Sequence, residues 1–65
     1  MKNWKSEEIK ELRERFKLSQ QVLSDRLGVS RNYIYLLEKG VKTPSKTLQL
    51  LLNCVEKELK QYERR

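Results

Sequence analysis

Apolar residues recur three and four positions apart along most of the chain, which is the spacing of amphipathic helices. Near the N-terminal end, Ile9, Leu12 and Phe16 have this spacing. Ser6 stands ahead of two glutamates, so it offers an N-cap and the acidic first turn that a helix dipole favours. The pattern predicts a first helix from about Glu7 to Lys17.

Residues 19–39 contain two shorter stretches with the same spacing of apolar residues, separated by a glycine. Their apolar positions are Leu23, Leu27, Ile34 and Leu37. They predict helices from about Gln20 to Leu27 and from about Arg31 to Lys39, with Gly28 reversing the chain at little steric cost. Ser30 is a natural N-cap for the second of these helices. Such a pair, with a polar outer face on its second helix, has the layout of a helix-turn-helix motif.

The last part of the chain predicts the longest helix, from about 45 to 63, which begins where Pro44 precedes Ser45. Six apolar residues fall within an arc of about 100° on this helix. They are Leu48, Leu51, Leu52, Val55, Leu59 and Tyr62. The sequence therefore predicts one all-α domain over residues 1–65, a compact bundle of four helices. A break near Glu56 would give five helices instead.

The charge is positive overall and unevenly distributed. Fifteen Lys and Arg residues against nine Asp and Glu give a net charge of +6. No acidic residue lies between Glu38 and Glu56, whereas Lys39, Lys42 and Lys46 fall in that interval. This distribution favours a polyanionic partner beside the third helix. The alternative is that the charged residues serve only to keep the protein soluble.

Other features exclude several classes of protein. A single cysteine, Cys54, rules out an internal disulfide framework, and the absence of histidine rules out a Cys/His zinc site. We expect no metal and no cofactor. We also expect no enzymatic activity, because the cysteine has no histidine to act as its base. No apolar run approaches the roughly 20 residues of a membrane span, and no signal peptide is evident. The sequence thus predicts a cytoplasmic protein with no membrane partner.

Four segments, Leu12–Arg15, Leu18–Gln20, Leu27–Ser30 and Leu37–Gly40, resemble the Cro/C1-type helix-turn-helix family of bacterial and phage regulators. Thr-Pro-Ser at 43–45 continues the resemblance, which covers about residues 7–56. It implies a lambda-repressor-like domain and a transcriptional regulator, a repressor or autoregulator, that binds double-stranded DNA in a sequence-specific way.

The sequence departs from the family pattern in two places. Ser24 occupies a position that commonly holds alanine. A charged tail, Glu56 to Arg65, stands where the family usually has a short fifth helix.

Residues at the start and on the outer face of the third helix are candidates for reading base edges in the major groove. Arg31 could bond guanine O6 and N7, and Asn32 could bond adenine N6 and N7. Tyr35 and Leu36 could contact thymine methyl groups, or Tyr35 a phosphate. For Arg31 and Asn32 the alternative is an ordinary solvated helix start.

A second set of residues is predicted to contact DNA phosphates: Gln20, Ser30, Lys39, Lys42, Thr43 and Lys46. Gln20 opens the second helix, where free backbone N–H groups and the dipole favour an anion, and the family resemblance implies the same role. The lysines would add affinity and salt dependence without sequence information. Each of them could instead be a solvated surface lysine.

The family resemblance also implies that Arg13 and Glu38 form a pair linking the first helix to the third. Such a pair, if partly buried, would fix the recognition helix rather than touch DNA. Two independent surface charges are the alternative.

A domain this small offers few base contacts, so we expect a homodimer on a palindromic DNA operator, with half-sites about one helical turn (~34 Å) apart. Leu50, Cys54 and Trp4 are candidates for the subunit interface, although Cys54 could also be a small buried hydrophobic residue. The alternative function is an antitoxin-type module whose main partner is a cognate toxin. The tail from Glu56 to Arg65 is the segment that would serve that function.

Overall fold

Four helices account for most of residues 4–63, which are the residues that the computed structural model describes. They are α1 (Ser6–Arg15), α2 (Gln20–Leu27), α3 (Arg31–Lys39) and α4 (Lys46–Glu63). The predicted all-α fold is confirmed, and no strand occurs in this range. Because α4 continues unbroken through Glu56, the alternative of a fifth helix is wrong for this part of the chain. None of these helices has the length and apolar character needed to cross a membrane.

The helix starts follow the capping residues, with one correction. Ser19 and Ser30 cap α2 and α3, since each hydroxyl oxygen accepts a hydrogen bond of 3.1 Å from the backbone N–H three residues on. At α1, the predicted N-cap Ser6 is instead the first helical residue. Lys5 takes the cap position, and its backbone N–H donates to the Glu8 carboxylate at 3.2 Å. A glutamate at the third helical position compensates for the absence of a capping side chain.

The ends of α1, α2 and α3 share one backbone arrangement, in which a left-handed residue terminates the helix. Gly28 and Gly40 take this conformation after α2 and α3, with φ of 72° and 77°. After α1 the residue is Lys17, with φ of 56°. The Leu18 N–H donates to the Arg13 carbonyl at 2.8 Å, which closes the motif. Helix α1 therefore ends at Arg15, before the predicted Lys17.

All four helices contribute to one core, together with a residue that precedes α1. Its buried apolar members are Trp4, Ile9, Leu12, Leu23, Leu27, Ile34, Leu37, Leu48, Leu52, Val55 and Leu59. Ser24 is also fully buried, and its hydroxyl donates to the Gln21 carbonyl at 2.7 Å. On α4, the predicted apolar arc is too wide, since Leu51 is 42% exposed and Tyr62 is 58% exposed. The two exposed residues lie at one edge of that arc, whereas Leu52 at its other edge is fully buried.

Trp4 and Cys54 are placed differently from the prediction. Trp4 is 4% exposed, and its indole N–H donates to the Asn53 side-chain oxygen on α4 at 3.0 Å. The prediction that Trp4 contributes to a subunit interface is therefore wrong, because its side chain packs inside its own domain. Cys54 is exposed, so it is not the small buried hydrophobic residue considered above. Leu50, close to it on the same face of α4, is 45% exposed.

We predict that Lys17→Gly stabilises the domain by about 0.5–1 kcal/mol. A non-glycine residue in the left-handed conformation costs roughly 1–2 kcal/mol, which exceeds the extra backbone entropy that glycine loses on folding. Urea denaturation monitored by circular dichroism measures the change. Lys17→Ala is the matched control, because it removes the same side chain but keeps the strain. A Lys17→Gly variant no more stable than Lys17→Ala would contradict the prediction.

Candidate nucleic-acid interface

Helix α3 is held by one face and open on the other. Ile34 and Leu37 are 0% and 1% exposed, and they fix its inner face against the core that α1 and α2 share. Arg31 and Asn32, at the first two positions of the helix, have exposed side chains. A helix supported in this way presents its N-terminal polar residues to a groove without needing to move.

The cap of α3 lies beside these residues. The Ser30 hydroxyl oxygen accepts from the Tyr33 N–H, so this side chain organises the start of the helix. Its own hydroxyl hydrogen can still be donated to an anion. Ser30 can therefore act both as a helix cap and as a phosphate contact.

Further along α3, Tyr35 is 45% exposed, and the Lys39 ammonium lies 5.6 Å from the centroid of its ring. A cation at this distance from a ring face is attracted by the ring quadrupole. The two side chains thus lie next to each other on the open surface. Leu36 is only partly exposed, which corrects the view of it as an exposed leucine. Because α3 packs on both α1 and α2, less of its circumference is free than the sequence indicated.

Arg13 and Glu38 form a two-pronged ion pair between α1 and α3. Arg13 Nε lies 2.8 Å from Glu38 Oε2, and its Nη2 lies 3.1 Å from Oε1. The Arg13 side chain is 18% exposed and that of Glu38 is 7% exposed. The hydrogen bond with Glu38 raises the pKa of Arg13, while burial acts in the opposite direction. The two charges are therefore not independent.

The same pair organises the chain between α1 and α2. Arg13 Nη1 donates to the Leu18 carbonyl at 3.2 Å, and the Gln20 amide donates to Glu38 Oε1 at 3.4 Å. Side chains from α1 and α2 thus both donate to the Glu38 carboxylate of α3, and Arg13 also holds the segment between them. Gln20 is the first residue of α2, so its side chain lies beside the free N–H groups of that helix.

Two clefts adjoin this network and share Arg13 and Gln20. The first has a volume of about 430 Å³ and is lined by Lys10, Arg13, Gln20, Tyr35, Glu38 and Lys39. The second has a volume of about 310 Å³ and is lined by Arg13, Ser19, Gln20, Gln21 and Arg31. Together they make a concave, donor-rich surface along the exposed side of α3, suited to a polyanionic backbone.

The remaining predicted phosphate contacts lie after α3. Lys42 and Thr43 are exposed in the loop to α4, and Lys46 is exposed at the start of α4. Lys42 and Thr43 line a third cleft of about 360 Å³ together with Lys5.

Sequence reasoning missed Lys5, Lys10 and Gln21 as cleft residues. For Lys10 a signal was present, because it lies three positions before Arg13 and hence on the same face of α1. The glutamates around it on α1 obscured that signal.

Comparison with known proteins agrees with this geometry. A family model described as helix-turn-helix matches residues 9–54. The chain therefore belongs to the Cro/C1-type helix-turn-helix family, which is a family of DNA-binding domains. No curated protein and no solved structure matches the chain.

We predict that replacing only one partner of the Arg13–Glu38 pair lowers the stability of the domain more than replacing both partners. Arg13→Met or Glu38→Met alone leaves a partly buried charge unpaired and should cost about 3–5 kcal/mol of stability. The double variant should be more stable than the sum of the single losses predicts, as measured by urea denaturation in a double-mutant cycle.

Arg26→Met is the control for this cycle. It breaks an exposed pair in which Arg26 lies 4.0 Å from Glu58, and it should cost less than about 1 kcal/mol. Strictly additive losses for Arg13 and Glu38 would show that the pair is not coupled.

Proposed function

We propose that this protein is a sequence-specific transcriptional regulator, a repressor or autoregulator, that inserts α3 into the major groove of an operator. The observation that carries the proposal is the division of α3 between a buried apolar face and an exposed polar N-terminal end. On this proposal, Arg31 reads guanine and Asn32 reads adenine, since these side chains match the donors and acceptors of those base edges. Tyr35 and, to a smaller extent, Leu36 contact thymine methyl groups.

Phosphate contacts on both sides of α3 would hold the helix in register. Gln20 and Ser30 lie at the starts of α2 and α3, where helix dipoles favour anions. Lys39, Lys42, Thr43 and Lys46 follow α3 along the chain and are all exposed. Their donors and charges supply affinity that does not depend on base sequence.

A homodimer is the second part of the proposal. One recognition helix reads only a few bases, so two copies on a palindromic operator would double the sequence-specific contacts. The exposed Leu50 and Cys54 on the outer face of α4 support this surface as the contact between subunits. A bound dimer would repress by occupying promoter DNA in the cytoplasm of a bacterial host.

The toxin-binding alternative is less well supported. It would use the charged tail from Glu56 to Arg65, yet α4 continues through this segment to Glu63, and Leu59 is buried in the domain core. Arg64 and Arg65 lie outside the described residues. We therefore favour DNA over a toxin as the main partner.

We predict that selection from a random pool of DNA duplexes will enrich one motif with two-fold symmetry. Arg31→Ala and Asn32→Ala should each lose base preference at specific positions, at a cost of about 1–3 kcal/mol on the selected site. Lys46→Ala is the comparison variant, since it should weaken all duplexes about equally and lower the slope of log affinity against log salt by about one. Equal losses on selected and random DNA for Arg31→Ala would contradict its base-reading role. A failure of the parent to enrich any motif would contradict the function.

We predict that Leu50→Glu removes most of the difference in binding affinity between a full palindromic operator and a half-site. A charge on the contact surface between subunits would resist burial. Affinity for the full operator should fall at least tenfold, while the helical circular-dichroism signal persists. The control is Lys60→Gln, which changes the net charge by the same amount at another exposed position of α4. A Leu50→Glu variant that binds the full operator as tightly as the parent would exclude this surface.

A further inference from the structure

Lys10 on α1 lies in the cleft between α1 and α3, opposite residues that the proposed function assigns to DNA. This cleft, with a volume of about 430 Å³, is also lined by Gln20, Tyr35 and Lys39. Lys10 precedes Arg13 by three positions, so the two side chains are neighbours on one face of α1. Arg13 reaches across to Glu38 on α3, and Lys10 lines the same cleft.

The charges in this cleft do not cancel. Glu38 is its only acidic lining residue, and both of its oxygens are engaged by Arg13. Lys10 is exposed, and it forms no ion pair with a carboxylate among residues 4–63, while Lys39 contacts the neutral ring of Tyr35. Two ammonium groups line the cleft, and the carboxylate that lines it is already engaged by Arg13, so the cleft attracts an anion.

We infer that Lys10 binds a phosphate of the DNA backbone, so that the interface extends from α2 and α3 onto α1. This inference rests on the proposed function and adds a residue to it. Lys10 and Lys39 flank the backbone where it enters the cleft, and Gln20 donates from the start of α2. Lys10 contributes affinity and register but no base preference, because a phosphate contact carries no sequence information.

The test compares Lys10→Ala with Lys57→Ala in salt titrations on the operator selected by the parent protein and on random duplex DNA. Each variant loses one exposed lysine from a helix, so the net charge and the type of substitution are matched. Lys57 lies on α4, and it does not line any of the three clefts described above.

For Lys10→Ala we expect the slope of log affinity against log salt to fall by about 0.9 for each bound subunit. Selected and random duplexes should weaken by the same factor, and Lys10→Arg should restore the slope. Lys57→Ala should keep the parent slope.

Equal slopes for Lys10→Ala and Lys57→Ala would overturn the inference while leaving the proposed function intact. A larger loss on the selected operator than on random DNA would overturn it as well, since that is the signature of a base contact. If the affinity of the parent protein for duplex DNA did not depend on salt, that result would contradict the proposed function itself, and with it the inference about Lys10.

Discussion

The partly buried pair between Arg13 and Glu38 is the interaction on which the candidate interface depends. Burial of Ile34 and Leu37 fixes the inner face of α3, and the ion pair adds a directional contact to it. A two-pronged guanidinium–carboxylate contact has a defined geometry, and it joins the C-terminal part of α3 to α1. Gln20 adds the start of α2 to the same carboxylate. Helix α3 is thus aligned with the N-terminal end of α2, where the proposed function has a phosphate bind.

The Arg13–Glu38 pair also determines the charge of the surface around it. Glu38 would repel DNA if its carboxylate were free, yet Arg13 neutralises it inside the fold. The first cleft beside the pair consequently keeps the positive character of Lys10 and Lys39, which line it. An acidic residue at the centre of a nucleic-acid interface is therefore compatible with binding.

Much of the fold could be predicted because local signals and packing agree. Serines at positions 19 and 30 and glycines at 28 and 40 mark helix ends by mechanisms that act within a few residues, and the structure uses all four. Errors arose where the outcome depends on distant contacts. Trp4 could not be assigned to the core without knowing that Asn53 on α4 accepts its indole N–H.

The candidate site was predictable to a similar extent. The order of residues along α3 was sufficient to separate Arg31 from Ile34, since they lie on different faces of one helix. The exposed fraction of the Leu36 side chain depends on how closely α1 and α2 approach α3. The spacing of apolar residues in the sequence does not contain that information. The position of Lys10 opposite Lys39 is likewise a property of the assembled bundle.

The position of Trp4 has a consequence for following this protein by optical methods. It is the only tryptophan in the sequence, and its indole is buried against α4, where it also lines the third cleft with Lys42 and Thr43. Its emission therefore reports whether the segment before α1 remains docked on the core. The three tyrosines are distributed differently, and Tyr35 belongs to the proposed DNA surface. One chain thus carries one intrinsic chromophore buried in its core and another exposed on its candidate binding surface.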